Sequence, residues 1–388
     1  MSLMLLDSGS LWYRAFYGMP DSLMAPDGTP VNAIRGYLDM SARLIAMYKP
    51  NRLVACLDGD WRPTWRVELF PDYKANRLEE DGEAEEEPDL LTPQIPILLD
   101  VLDAFGIPIV GADDYEADDV IATFVDKFKK DCEIIICTGD RDSFQLVSEG
   151  VTVLYPKKGV TELARMTPEA VFEKYGLTPS QYPDFAALRG DPSDNLPSIP
   201  GVGEKTATKW IQEFGSLKEL VAKVDSVPGK AGEALRNSLS SVLTNRELTQ
   251  LRHDLPLKPA LNEIEWQGVD ASHINKLFDT LEIKALKERI AALGGVSDQE
   301  PATAREVNIR AVGRKELETL LPATGLIPLV LSHDSVAVSF SPLEVLTISR
   351  SEISDVLSKE ERWIIHGAKY LIRSGVLNGV AVDTEIAS

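Results

Sequence analysis

Asp7, Asp58, Glu116, Asp118, Asp119, Asp140 and Asp142 all stand at or just past the ends of short apolar runs. Asp7 closes the run 3–6 and Asp58 follows the run 53–57. Asp140 and Asp142, in TGDRD, follow the run 134–137, and Glu116, Asp118 and Asp119 open a helical pattern after the run 107–110. If these runs are strands of one parallel sheet, four segments aim about seven carboxylates at one crevice. Like charges so crowded repel by several kcal/mol in a low-dielectric cleft unless a cation neutralises them. Hard oxygen donors in that number suit Mg²⁺ or Mn²⁺, and could hold two ions. Taken singly, each acid has a plainer reading as a helix N-cap, a turn former or a first-turn acid. Four coincident placements at one sheet edge argue against that reading for the whole set.

A second constellation is RGDPSDNLPSIPGVGEKTATKW, residues 189–210. Its end reads as a helix–hairpin–helix: a short helix, the turn Pro200-Gly201-Val202-Gly203, then a helix from Glu204 carrying Lys205, Thr206 and Lys209. Glycines allow close backbone approach to a phosphate, and free N–H groups at a helix start can bind it. Such a hairpin grips backbone without reading bases. A lone G-x-G is mostly just a turn, but here Asp191 and Asp194 lie immediately upstream, within reach of the acid cluster.

The elements that must hold these groups alternate. Runs at 3–6, 53–57, 107–110, 134–137 and 151–154 read as buried parallel strands, with helices between them at 33–47, 94–105 and 116–129. From 167 to 293 short helices punctuated by Pro and Gly replace the strand signal, and GGVSDQEPATAR (294–305) reads as a linker. Residues 306–388 bring fresh strand-like runs at 327–331 and 336–340. The segment 79–89 (EEDGEAEEEPD) holds eight acids and no base, the pattern of a solvated loop.

The 388 residues are enough for two or three domains, and 44% apolar with 26% charged composition excludes a disordered or collagen-like chain. Three cysteines without a C-x-x-C pair exclude a cysteine zinc site or disulfide framework and favour a reducing, cytoplasmic setting. The apolar start is broken by Asp7, too early for a signal peptide, and no run reaches the roughly 20 residues of a membrane span. A net charge of −21 would keep most proteins off nucleic acid. Nine acids, however, belong to the proposed cluster with Asp191 and Asp194, and eight to the 79–89 run; the remaining 44 acids face 40 bases, a balance of −4.

These motifs carry a family resemblance. LLDSGSLWYRAF, YEADDVIAT, TGDRDSFQL and RGDPSDNLPSIPGVGEKTATKW resemble the 5′-nuclease domains of bacterial DNA polymerases I, members of the flap endonuclease superfamily, over about residues 3–290. The resemblance implies a PIN-like α/β domain at 1–166 with an arch near 62–92, and a helix–hairpin–helix subdomain at 167–293. It implies that Asp7, Asp58, Glu116 and Asp118 hold a first metal and Asp140, Asp142 and Asp194 a second, two Mg²⁺ or Mn²⁺ in all. Asp119 and Asp191 would be supporting acids. Tyr13 matches an aromatic on which the base beside the scissile phosphate stacks. Arg14, Arg66, Lys74 and Arg77 match bases that clamp the phosphate, Lys74 and Arg77 within DYKANR. Residues 200–205 would track duplex DNA, and in this family a K⁺ often sits there. The implied activity is two-metal hydrolysis of DNA at 5′ flaps, nicks and 5′-ended duplex, in primer removal and repair, by a monomer working with a polymerase in cis or trans in the bacterial nucleoid.

Two departures stand out. The acidic 79–89 run interrupts the arch, where a mixed sequence is expected. Residues 306–388 resemble only weakly the start of a 3′–5′ exonuclease-like, RNase H-like domain. Its first strand (LVLSHDS, 329–335) lacks the acid pair an active version needs, and only Asp383 falls near a further motif acid. That segment reads as inactive and truncated, part of a longer polymerase. Among rivals, a haloacid dehalogenase-type phosphatase needs a second Asp where Gly9 stands, and a small ribonuclease of related fold would not need the hairpin. A non-catalytic DNA-structure-binding module is the alternative outside enzymes.

Overall fold

The computed structural model describes residues 2–78, 90–158, 162–283, 286–291, 293, 308–320, 327–331, 335–341, 344–349, 351–352, 363–365 and 382–383. The acidic run 79–89 and the expected linker 294–305 lie outside the described residues. The chain falls into two compact units, Met1–Ser297 and Asp298–Ser388.

The first unit is built on a six-stranded sheet of order β3-β2-β1-β4-β5-β6. Its strands are β1 (Ser2–Asp7), β2 (Arg52–Cys56), β3 (Ile109–Val110), β4 (Glu133–Cys137), β5 (Val151–Lys158) and β6 (Glu162–Met166). All pair in parallel except β6, which runs antiparallel to β5 at the edge. The pleat sends alternate β1 side chains to opposite faces. Leu3 and Leu5 join one buried cluster with helix α5, and Met4 and Leu6 join the other.

That second face is covered by α1 (Ser8–Gly18), α2 (Asn32–Tyr48) and α4 (Ile95–Ala104). Short α3 (Thr64–Leu69) lies between β2 and α4 in sequence, and α5 (Ala117–Phe128) covers the opposite face. The helical half continues the α5 face: α6 (Pro168–Tyr175), α7 (Tyr182–Arg189) and α8 (Glu204–Phe214) place Tyr182, Phe185, Trp210 and Ile211 in one cluster with Leu3 and Ile136. Sheet and hairpin therefore share a core.

After α9 (Leu217–Ala222), α10 (Gly229–Asn237) and α11 (Leu239–Leu248), the chain crosses back to the other face. There Trp266 donates its indole N–H to the Phe105 carbonyl at 2.8 Å. Helix α12 (Ala271–Leu281) buries Ile274, Phe278 and Leu281 among the residues of α2 and α4. An apolar stripe of α12 thus packs on the α2–α4 side of the sheet.

The second unit carries a sheet of order β12-β11-β8-β9-β10-β7, from β7 (Asn308–Ala311), β8 (Ile327–Leu331), β9 (Ser335–Ser341), β10 (Glu344–Ser349), β11 (Trp363–Ile365) and β12 (Val382–Asp383). Strands β8, β9 and β10 form an antiparallel meander; β11 adds in parallel beside β8, β12 beside β11, and β7 beside β10. No described helix in the chain is long and apolar enough to cross a membrane.

Candidate active site

The strand order reverses between β1 and β4, and the crevice beyond the carboxyl ends of strands at such a point is where open α/β sheets bind ligands. Asp7 ends β1 there, side by side with β2 and β4. Its Oδ1 caps α1 by accepting from the Ser10 N–H at 3.2 Å, and its Oδ2 accepts from the Thr138 hydroxyl, just past β4, at 2.5 Å. The Thr138 bond bridges the two strands across the reversal. Asp58 follows β2 and accepts from the Ala117 N–H at 2.7 Å, tying that loop to the start of α5. The loops approach closely: a Cβ on Gly59 would sit 2.0 Å from the Ala112 carbonyl oxygen, so only glycine fits.

These elements surround a cleft of about 420 Å³ whose walls include Asp7, Asp58, Glu116, Asp118 and Asp140. Asp142 and Asp194 sit beside Asp140 closely enough to perturb its neighbourhood, and Asp191 lines an adjoining cavity with Asp140. The sheet thus gathers the expected acids in two groups that meet at Asp140. Burial, with Asp58 and Asp140 nearby, pushes Asp7 up to about 7. Asp118 and Asp142 are pushed well above the carboxylate range, by burial first and then by Asp140. Burial also raises Asp194, to about 6, against the pull of Lys74. Burial is the larger cause of these shifts, and the neighbouring carboxylates add to it. Asp118 has one hydroxyl donor, Ser143 at 3.1 Å.

Glu116 behaves differently. Burial would raise it, but it receives the Tyr73 hydroxyl at 2.9 Å, the Lys74 ammonium at 2.9 Å and the Arg66 guanidinium at 3.3 Å, and these hold it below its ordinary value. Lys74 is buried with a left-handed backbone (φ 50°) and also donates to the Trp61 carbonyl. Arg77 binds Asp194 at 2.8 Å and the Ser193 carbonyl at 3.1 Å. Two of the four bases expected at the scissile phosphate, Lys74 and Arg77, therefore rest on acids of the cluster. Tyr13, Arg14 and Tyr17 line the mouth of the cleft from α1.

The packing places three of the expected site residues in the interior. Arg66, expected at DNA, is 1% exposed and closes a two-bond pair with Asp119, at 2.8 and 3.0 Å. Asp119, expected to support a metal, is fully buried and spends its oxygens on Arg66 and the Arg252 N–H. Val202 of the hairpin turns its side chain into the core and anchors the turn, leaving Pro200, Gly201, Gly203, Lys205 and Lys209 exposed and Thr206 half-buried. Gly201 is left-handed (φ 76°), and Gly203 caps α8 without any side-chain hydrogen bond, so backbone N–H groups of the first turn have no side-chain cap. Asp191 pairs with Arg189 at 3.1 Å and accepts from Ser193.

Tyr73, Thr138 and Ser143 carry no signal in the sequence that marks them as site residues, although each sits within or beside one of the motifs. Among the described residues, Asp100, Asp103 and His273 also bring three candidate ligand atoms within 4.8 Å of one another, away from this cleft. There the two ring nitrogens face different carboxylates, at 2.8 and 3.6 Å, which is an ion-pair arrangement.

The model for the 5′-3′ exonuclease N-terminal resolvase-like domain matches residues 2–176, and that for the 5′-3′ exonuclease C-terminal SAM fold matches residues 177–272. A 5′-3′ exonuclease of Streptomyces coelicolor is 52% identical over 243 residues, 61% of this chain and 80% of its own. DNA polymerase I of Mycobacterium tuberculosis is 50% identical over 300 residues, 76% of this chain. The chain spans about a third of that polymerase's length (32%). Two solved structures share the fold: a bacteriophage T5 5′-exonuclease with bound zinc (TM-score 0.51, 20% identity, 76% of this chain and 99% of that one) and the catalytic core of Rad2 with a DNA substrate (0.50, 18%, 76% and 92%).

Proposed function

The chain belongs to the 5′-3′ exonuclease family, and from that membership we propose that it hydrolyses DNA phosphodiesters at 5′ ends, 5′ flaps and nicks. The observation that carries the reading is the gathering of Asp7, Asp58, Glu116, Asp118 and Asp140 around one cleft at the sheet's reversal point, where burial first and neighbouring carboxylates second raise Asp7, Asp118 and Asp142. The donor set is all oxygen, and Asp118 keeps coordination capacity beyond its single hydroxyl donor. That chemistry fits hard divalent cations, Mg²⁺ or Mn²⁺. Asp7, Asp58, Glu116 and Asp118 would hold one ion and Asp140, Asp142 and Asp194 a second, with Asp191 in support. Bound there, such ions supply Lewis-acid polarisation of the phosphate and a water of lowered pKa.

The chain's own groups do the positioning. Lys74 and Arg77, now resting on Glu116 and Asp194, are within reach of the cleft and exchange those carboxylates for the scissile phosphate once the acids are neutralised. Arg14 flanks the same phosphate, and Tyr13 offers a ring to the adjacent base. The exposed turn at Gly201 and Gly203 with Lys205 and Lys209 grips duplex backbone, and the K⁺ expected in this family would sit at that turn. This gives preference for DNA structure over sequence.

In the cell the activity serves primer removal and repair in the bacterial nucleoid, as a monomer beside a polymerase region in cis or in trans. The second unit is read as an RNase H-like, 3′–5′ exonuclease-like segment without catalytic acids. Its antiparallel meander extended in parallel by β11 and β12 supports this.

Labelled flap, nicked and single-stranded substrates, incubated with Mg²⁺, Mn²⁺ or excess EDTA and resolved by product length, test the reading. Metal-dependent release of mononucleotides or short 5′ oligonucleotides is expected. Full cleavage in EDTA, or no cleavage with either ion, overturns it.

A further inference from the structure

Tyr155, on β5, is touched by bases from three separate parts of the chain. The Arg14 guanidinium of α1 lies 5.8 Å from its ring centroid and the Lys174 ammonium of α6 lies 5.6 Å from it. Arg141, in the loop after β4, donates its Nε–H to the phenol oxygen at 3.4 Å. Three cations drawn to one neutral side chain repel each other; the ring's negative face and the phenol lone pairs offset part of that repulsion. The ring is itself fixed by an edge contact with buried Phe144, centroids 5.5 Å apart.

The placement connects the two halves of the site. A cavity of about 380 Å³, lined by Arg141 and Tyr155, shares Gly139 and Asp140 with the acid-lined cleft and reaches Glu204 at the start of α8. Lys174 shares a further groove with Lys205 and Lys209 of α8. Nearby Arg189 is neutralised by Asp191 and Glu204. Among the described residues, the ion pairs within 4.0 Å take in neither Arg14, Arg141 nor Lys174. Bases outside any of these ion pairs, spaced along a path between an acid cleft and a phosphate-gripping turn, suit a polyanion laid along that path.

We propose that Tyr155 is the positioning residue of a phosphate-binding ledge, Arg14–Arg141–Lys174, which carries DNA backbone between the acid-lined cleft and the hairpin helix. The ledge rests on the DNA-cleaving reading above, and takes its backbone phosphates whatever the base sequence.

Binding of a fluorescent nicked duplex, measured in EDTA over a range of KCl, tests it in Tyr155→Leu, Tyr155→Phe and Lys174→Gln. Removing one cation from a DNA phosphate lowers the slope of log K against log salt by roughly 0.9. Tyr155→Leu is expected to weaken binding about tenfold and flatten the slope by roughly one to two. Tyr155→Phe keeps the ring and recovers most of both. Lys174→Gln adds less in the Leu background than it does alone, because the ammonium has lost one of the two rings it lies over and keeps only Tyr175, 5.2 Å away. A Leu variant with wild-type affinity and slope, whatever its melting temperature, shows a packing residue only and overturns the ledge; so do additive effects of the two substitutions. Should Tyr155→Leu not fold, Tyr155→Phe with Arg141→Gln carries the same test, coupled effects supporting and additive effects overturning. A wild-type chain that neither binds nor cuts DNA overturns the DNA-cleaving reading and the ledge together. One that cuts DNA while Tyr155→Leu keeps its salt slope overturns the ledge alone.

Discussion

Arg66 and Asp119 face each other through two parallel hydrogen bonds, 2.8 and 3.0 Å long, with both side chains buried. The guanidinium also reaches Glu116 at 3.3 Å, so the pair stands beneath one of the cleft's own acids. It joins α3, at the base of the expected arch, to the first turn of α5.

Removing one partner of a buried ion pair strands the other, at a cost of about 3–5 kcal/mol. Arg66→Met is therefore expected to lower the melting temperature sharply, read by calorimetry or denaturant titration. A variant of near-native stability whose DNA affinity had become less salt-dependent would restore Arg66 to the DNA interface.

The crowded acids make the metal-free protein sensitive to pH in a stated direction. Asp7 is raised to about 7 from 3.8, so the folded chain binds that proton more tightly than the unfolded chain does. The stabilisation is complete below about pH 4 and is lost as pH rises through 7. The melting temperature in EDTA should climb as pH falls from 8 to 6, and Mn²⁺ should stabilise more at pH 8 than at pH 6. Asp118→Asn removes one of the repelling charges while keeping an acceptor for Ser143, and should raise the metal-free melting temperature at pH 8. A decrease there would refute the idea of surplus charge.

Asp140 lies where the two groups of acids meet, lining both cavities. Asp140→Asn should reduce Mg²⁺-dependent flap cleavage by several orders of magnitude while duplex affinity in EDTA stays within a few-fold of wild type. Gel-resolved single-turnover rates give the first quantity and anisotropy the second. Appreciable cleavage by this variant would sink the assignment of Asp140 to the metal cluster.

Lys205 and Lys209 are exposed along α8, while Val202 beside them is core. Lys205→Glu with Lys209→Glu should weaken duplex binding and lower the salt slope by about two, one for each lysine taken off a phosphate. Val202→Ala should instead cost stability, about 1–2 kcal/mol from the deleted methyl groups. An unchanged slope in the double variant would remove the hairpin from the DNA path.

Much of this architecture is legible in the chain itself. The apolar runs before Asp7, Asp58 and Asp140 announce strands, and a parallel sheet leaves little choice about which end those acids occupy. The hairpin is equally local: Gly201 needs its left-handed backbone, and the lysines follow at helical spacing. Edge strand β6 is harder to see, since Glu162–Met166 alternates only weakly and takes its conformation from pairing with β5. The return of α12 to the α2–α4 face is invisible for a similar reason, because an amphipathic stripe says that a face must be buried and not which surface buries it.

The roles of the charged residues divide along the same line. Sequence alone determined that carboxylates converge at the carboxyl ends of four segments, because strand direction and turn chemistry are local properties. Tertiary structure alone decided that Arg66 is spent on Asp119 while Lys74 and Arg77 stay at the cleft wall. The four bases Arg14, Arg66, Lys74 and Arg77 look alike in the chain. Arg66 meets its acid 53 positions away only because the fold brings α3 within side-chain reach of the first turn of α5, and burial then makes the pairing obligatory. Charge type is written in the sequence; whether that charge faces water, an acid or DNA depends on which distant element closes over it.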